Sequence, residues 1–435
     1  MRVKQYFDQE FVQFSRYDNV RSIPSLRDGF KPAQRKCIYG TQQRGENAGE
    51  VQIERLAASI AADTKYHHGT GSLEATLVGL AQTFAGSNNV NLFEPLGQFG
   101  SRLSPSAASA RYIFTKFSAN FRKLFKKEDD IILKHMIEDG DEIEPEYYIP
   151  LLPLVLINGS RGVGTGYASN ILSYNPEDLK AHAITILNGK KPTTQLLPWF
   201  RGFTGKVSKI EKQVVVEGKL EIVNTTTIKV SELPIGMYLD DFKKVLYDLE
   251  DEGLIKNFED MSTESSFEFI LNVPRTTTSL SHELLMKKLK LISRETENFT
   301  LWDTNNKIRE YETPEAILEE FVNWRLLRYE DRRLKLLDME IEQLEWLNEK
   351  LRFVMFYLKH AKDFAGQPKP ELLSMLEKNK FKESDRLLRL PIYTLTHDEI
   401  EKLKKEIGDT EEKIVELNST TAKKLYLTEL KELDL

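Results

Sequence analysis

The chain has 435 residues, 40% hydrophobic and 29% charged, a length too great for one ordinary core and one that implies two to four domains. No apolar run approaches the roughly 18 residues of a membrane span, and the opening residues have no signal-peptide hydrophobic segment. Cys37 is the only cysteine, which excludes an internal disulfide and a cysteine zinc site and fits an intracellular, cytoplasmic protein. The net charge of −6 hides an asymmetry: residues 1–127 hold 18 Lys and Arg against 10 Asp and Glu, while the remainder holds 43 against 57. A basic first third on an acidic protein points to a local polyanion site.

Phe7, Phe11 and Phe14 recur at helical spacing, predicting an amphipathic N-terminal helix or arm over residues 1–20. A turn segment rich in cations follows, from Arg21 to Pro32, and Pro32 suits the first position of a helix over 33–39. Further short helices are expected at 53–63 and 72–84, the second with Ser72 as N-cap. Three short helices with cations at their turns resemble a helix-turn-helix variant. Between them, His67 and His68 in Lys65-Tyr66-His67-His68-Gly69 are adjacent and lack further ligands at metal-site spacing. A phosphate contact, a proton-transfer role and a structural pair all remain open for them.

Tyr112 stands beside Arg111, just after the Gly/Ser-rich stretch 96–108, whose small residues let backbone approach a phosphodiester closely. A phenol, with an ordinary pKa of about 10, needs nearby positive charge to act as a nucleophile at neutral pH. Arg111 supplies it, and its planar fork can hold a phosphate. Farther on, Phe117, Phe121 and Phe125 form an i, i+4 stripe read as core, and the acidic run 138–142 reads as a solvated turn rather than a magnesium site. The apolar run 151–157 reads as a strand, followed by a glycine loop at 158–166. That loop lacks a Gly-Lys-Ser/Thr ending and is not an ATP site. Strands are expected from 205 to 230, mixed strand and helix to 311.

Thr313 and Pro314 open a long helix, with Leu334, Leu337, Ile341, Leu344 and Leu351 at heptad-like spacing. A return helix carries Ile400, Leu403, Ile407, Ile414 and Leu417, with a helical knob between the two. Such a knob, bearing Phe356, Tyr357, Phe364, Leu372 and Leu373, is expected to make a dimer contact.

These motifs converge. Residues 27–36 (RDGFKPAQRK), 65–69 (KYHHG), 97–103 (GQFGSRL), 110–114 (ARYIF), 157–166 (INGSRGVGTG) and 232–236 (ELPIG) together resemble the DNA-cleavage core of type IIA topoisomerases, in order and over nearly the whole chain. The wording is nearer the eukaryotic enzymes than bacterial gyrase. A short cleavage chain with such wording resembles the enzymes of T-even-type bacteriophages, in which this core is a separate polypeptide. The lack of a DNA-wrapping C-terminal domain favours relaxation, decatenation and unknotting over supercoiling.

The resemblance implies a multidomain α+β fold: an arm (1–20), a winged-helix domain with the tyrosine (21–145), a mixed α/β tower domain (146–312), and an antiparallel coiled coil with a dimerising C-gate (313–435). It further implies that Tyr112 forms a 5′-phosphotyrosyl bond and that Arg111 and Arg35 stabilise the transition state. Arg35, always protonated, suits that electrostatic role better than a base. By the same resemblance His68 contacts the scissile phosphate, and Arg21, Lys31 and Lys36 grip phosphates. Lys65, Gln98 and Ser101 are DNA contacts from the same motifs, and Ile171 wedges between base pairs. Mg²⁺ and ATP are expected on a partner chain, the metal in an acidic TOPRIM domain. The substrate is double-stranded DNA and the chain a homodimer. Two rivals are an architectural DNA-binding protein with a buried Tyr112, and a tyrosine recombinase or type IB-like enzyme, against which the motif order argues.

Overall fold

The computed structural model describes residues 3–45 and 48–435; the first two residues of the expected arm lie outside that description. The chain forms two compact units: residues up to Arg325 together with Leu427–Leu435, and Leu326–Tyr426. The helix Pro314–Phe364 contributes residues to both units.

In the first unit, residues from Val3 to Ser22 are helical, with a π-helical stretch at Phe7–Phe11. Its aromatics do not enter a core: Phe7 and Phe14 are exposed and stack edgewise or obliquely around Phe11. The helices Pro32–Gln43, Ile53–Asp63 and Gly71–Ala81 pack on one another around Cys37, Ile38, Leu56, Ile60, Leu73 and Leu77. Pro32 opens the first of these as expected. Ser72 does not cap the third, which already begins at Gly71; its hydroxyl instead accepts from Tyr66 Oη at 3.2 Å. Phe117, Phe121 and Phe125 stack in the core, at 4.2 and 5.2 Å between successive ring centroids.

Gly29 shapes the entry to the first helix. Its φ is +74°, and a Cβ there would lie 2.5 Å from the Val155 amide nitrogen. Gly29→Ala therefore strains the backbone and collides with main chain, and a loss of about 2–3 kcal/mol in thermal or urea unfolding is expected. A loss under half of that would mean the 25–30 turn relaxes freely.

Two expectations downstream fail locally. Residues Leu154–Asn158 are helix, not strand, because a short buried apolar run has no period to separate the two, and Gly159 at φ +69° ends it. The glycine segment beyond is no loop: Ser160–Gly164 and Tyr167–Ile171 pair as an antiparallel hairpin. The acidic run 138–142 is the tip of another hairpin, His135–Glu138 with Asp141–Pro145, turning through Asp139 and Gly140 in left-handed conformations.

From 205 to 311 the β-branched segments form two larger antiparallel sheets. Strands Lys219–Asn224, Thr227–Glu232, Phe269–Asn272 and Asn257–Asp260 make one, covered by the helix Leu239–Asp251 through Phe242, Val245 and Leu246. Strands Lys206–Ile210, Gln213–Glu217 and Ile292–Thr296 make the other. The start of the long helix is tied back by a buried bidentate pair, Arg325 to Asp129, at 2.6 and 3.3 Å.

In the second unit the long helix and its return partner His397–Ser419 run antiparallel: Lys350 pairs with Glu399 at 2.8 Å and Lys413 with Glu340 at 3.8 Å. Their buried seam holds Leu347, Val354 and Leu403, with Leu351, Ile400 and Ile407 partly buried beside it. Leu334 and Ile341 are exposed, so the heptad set read from the sequence overshoots this seam. In the knob, Phe356 and Phe364 pack internally against Phe353, Leu376 and Phe381 rather than facing outward. The outward apolar residues are Ile392 and Tyr393.

Candidate functional site

The segment bearing Tyr112 is fixed on both sides. Phe114 pairs with Gln52 on one edge, and on the other it exchanges backbone hydrogen bonds of 2.9 and 3.1 Å with Leu96. Tyr112 lies in the turn just before this strand, its amide donating to Ser109 O at 2.9 Å; Ile113 is buried and Tyr112 is 70% exposed. Among the described residues the Tyr112 hydroxyl has no partner. The Arg111 guanidinium carbon sits 5.9 Å from the Tyr112 ring centroid, within cation–π range, and the side chain is exposed. The two groups of the expected chemistry are thus presented outward from rigid backbone.

The loop leading to this segment is braced internally. The Ser101 amide donates to Ser104 O at 2.7 Å and the Ala108 amide to Gln98 O at 3.0 Å. The Gln98 side chain donates to Ser106 O, and the Ser101 hydroxyl accepts from the Leu103 amide, so both expected DNA contacts also shape their own loop. Arg102, assigned no role from the sequence, is buried and anchors the loop. It donates to the carbonyls of Leu233, Pro234 and Met237 at 2.6, 3.1 and 2.9 Å and reaches Glu232 at 3.4 Å.

Five of the expected residues meet around a separate cleft of about 620 Å³: Arg21, Arg35, Lys36, Lys65 and His68. Most of these cations are held by partners. Arg35 makes a two-point ion pair with the fully buried Asp28, at 2.6 and 3.0 Å. Burial works against the Arg35 charge, but the Asp28 field and hydrogen bonds outweigh it and raise its pKa above the ordinary value, so this side chain cannot be a base. Lys36 donates to Thr64 O at 2.7 Å and pairs with buried Glu144 at 2.8 Å. Lys65 pairs with Asp141 at 2.7 Å, and that hydrogen bond raises its pKa. His68 Nε2 lies 3.0 Å from Tyr17 Oη. Arg21 is exposed and has no carboxylate partner among the described residues.

Two expected contacts lie elsewhere. The Lys31 ammonium donates to Arg161 O at 2.6 Å against the glycine hairpin, and burial lowers its pKa. Ile171 is only 2% exposed, paired with Ser160 at the end of its strand, so it is not presented as a wedge; insertion between bases requires it to leave this packing. It borders a second cleft of about 1010 Å³ whose cations are Arg161, from the 157–166 motif, and Lys287, Lys290 and Arg294, which lie in no motif read from the sequence. Tyr112 and Arg111 line neither cleft.

The fit to a divalent metal is poor. Among the described residues no three His, Cys, Asp or Glu side chains converge. The cleft's carboxylates each have a side-chain partner: Glu138 has His67, Glu144 has Lys36 and Glu146 has Lys134.

Known proteins match this architecture. A family model for the A-type chain of DNA gyrase/topoisomerase IV matches residues 21–434. The chain is 34% identical over 98% of its length to the mitochondrial DNA topoisomerase 2 of Dictyostelium discoideum, and 35% identical over 99% to DNA topoisomerase 2 of Arabidopsis thaliana. It spans 34% and 33% of those proteins, about a third of each. DNA topoisomerase 2 of Acanthamoeba polyphaga mimivirus is 32% identical over 98% of the chain, which covers 40% of that protein. The crystal structure of the Plasmodium falciparum topoisomerase II DNA-binding, cleavage and re-ligation domain superposes with a TM-score of 0.92 at 32% identity, over 98% of this chain and 63% of that one. The chain belongs to the DNA gyrase/topoisomerase IV A-type family and has the fold of a type II topoisomerase cleavage domain.

Proposed function

We propose that this chain is the DNA-breakage and reunion subunit of an ATP-dependent type II topoisomerase, acting as a homodimer on double-stranded DNA. The observation that carries this reading is Tyr112, 70% exposed beside Arg111 on the turn that leads into a short strand paired along both edges. Its phenolic oxygen attacks the phosphorus of a phosphodiester, forming a P–O bond to tyrosine and breaking the bond to the 3′-oxygen. The tyrosine ends linked to the 5′-phosphate and the other end carries a free 3′-hydroxyl. The ester count is unchanged, so the 3′-hydroxyl reverses the step without external energy. Arg111 offsets charge on the phosphoryl oxygens; Arg35 and His68, which line the separate cleft, serve the same phosphate once bound DNA places it between them and Tyr112. Lys31, Lys36, Lys65, Gln98 and Ser101 position the duplex, and Ile171 bends it after leaving its pocket.

In this reading residues 21–145 are a winged-helix domain and 146–312 a tower. The antiparallel helices of 313–435 are a coiled coil ending in a C-gate, with Ile392 and Tyr393 on its dimer face. Magnesium in a TOPRIM domain and ATP are held by a partner chain, as in T-even-type bacteriophage enzymes. The assembly relaxes, decatenates and unknots DNA in the cytoplasm, a host's if phage-encoded.

DNA binding tests the reading without the partner. Affinity should fall with salt at a log–log slope of about −0.9 per neutralised phosphate, and Arg21→Ala should reduce that slope by about one phosphate's worth. A flat salt dependence, or an Arg21→Ala slope equal to wild type, would contradict a phosphate-gripping cleft.

A further inference from the structure

Asp28 is fully buried, yet it is among the most heavily engaged side chains in the molecule. Its Oδ2 accepts from Arg35 Nε at 2.6 Å and from the Tyr148 amide at 3.0 Å. Its Oδ1 accepts from Arg35 Nη2 at 3.0 Å and from the Phe30 amide at 3.0 Å. Two backbone amides from distant segments thus fix the carboxylate plane before Arg35 meets it.

A guanidinium has five N–H donors. Arg35 gives its Nε–H and one Nη2–H to Asp28, and its other Nη2–H to Phe30 O at 3.1 Å. Both remaining hydrogens are on Nη1, and the side chain lines the cationic cleft. The fork that matches a phosphate's two oxygens is already filled by a carboxylate. Arg35 therefore offers the cleft one nitrogen in one orientation, with a charge that the Asp28 pair keeps in place.

We infer that Asp28 is a positioning residue for the cleavage chemistry: it locks Arg35 so that Nη1 alone meets the scissile phosphate, and it acts only through Arg35. The inference rests on the cleavage reading above. It explains why a cation meant for DNA carries a buried counter-ion: the pair lowers ligand attraction at long range but removes the reorganisation a free arginine would undergo in the transition state.

The test compares wild type, Asp28→Asn, Arg35→Gln and the double variant in the enzyme assembled with its partner subunit. It follows the rate of covalent complex formation at saturating DNA, the DNA dissociation constant and the melting temperature. Asp28→Asn turns an acceptor of the Arg35 fork into a donor, so the maximal rate should fall about 10- to 100-fold, as for other supporting partners of functional groups. The dissociation constant should move less than about threefold, since Arg35 keeps its charge. In the Arg35→Gln background, Asp28→Asn should cost nothing more. An unchanged maximal rate, or the same fold-loss in both backgrounds, would overturn the inference. Asp28→Glu is run beside it, because it keeps the charge and moves the fork by one methylene. It should fold where Asp28→Asn does not and still lose rate, and full activity there would also overturn the inference. A wild type that forms no covalent complex would instead sink the cleavage reading itself.

Discussion

Tyr112→Phe should abolish covalent attachment to DNA, lowering the cleavage rate by at least roughly 10³-fold, because the only atom removed is the nucleophile. The same change should leave folding within about 0.5 kcal/mol of wild type, since the ring is 70% exposed and the hydroxyl has no partner among the described residues. DNA affinity should be retained, as the cations proposed to grip phosphates are elsewhere. Cleavage gels with end-labelled DNA, run beside a melting curve and a binding titration, separate the three outcomes. Wild-type cleavage by the phenylalanine variant would move the chemistry to another residue.

The largest expected loss of stability is at Arg102. Burial pulls its guanidinium below the ordinary arginine value, and Glu232 opposes that pull. Arg102→Met keeps much of the side chain's length but leaves buried Glu232 without its cation and the Leu233 and Met237 carbonyls without a donor, while Pro234 O keeps the Met237 amide. Stranding one member of a buried ion pair costs about 3–5 kcal/mol. The consequence extends to function, because Arg102 ties the Gly/Ser loop before Tyr112 to the 232–237 segment. Urea unfolding of both proteins checks it; a loss below about 1 kcal/mol would show that the loop is not held by this contact.

What is legible in the sequence follows from period and punctuation. The helices at 33–39 and 53–63, the return helix and the strands around Val214–Val216 are all readable, because their apolar spacing or β-branching is unambiguous and Pro32 and Pro314 mark helix starts. The run 151–157 misleads because full burial erases the period that tells helix from strand. The heptad set overshoots because spacing says which residues share a face but not where along the helix a partner lies over it. In the site, motifs flag the residues that face outward, Tyr112 and Arg111, and the cations of the first cleft. They contain Asp28 and Arg102 without showing that these hold those groups from within, and they do not reach Glu144. Nor do they show that Ile171 is packed away, because a residue's burial depends on the whole fold and no motif encodes it.

The most direct test is to identify the atom bonded to DNA. The assembled wild-type enzyme is incubated with duplex DNA, stopped with detergent, digested with nuclease and protease, and the nucleotide-bearing peptide is sequenced by mass spectrometry. A 5′-nucleotide on Tyr112, and on no other residue, is the predicted result. A nucleotide carried through its 3′-phosphate, an adduct on a different side chain, or DNA binding with no adduct while the partner subunit is present would contradict the account.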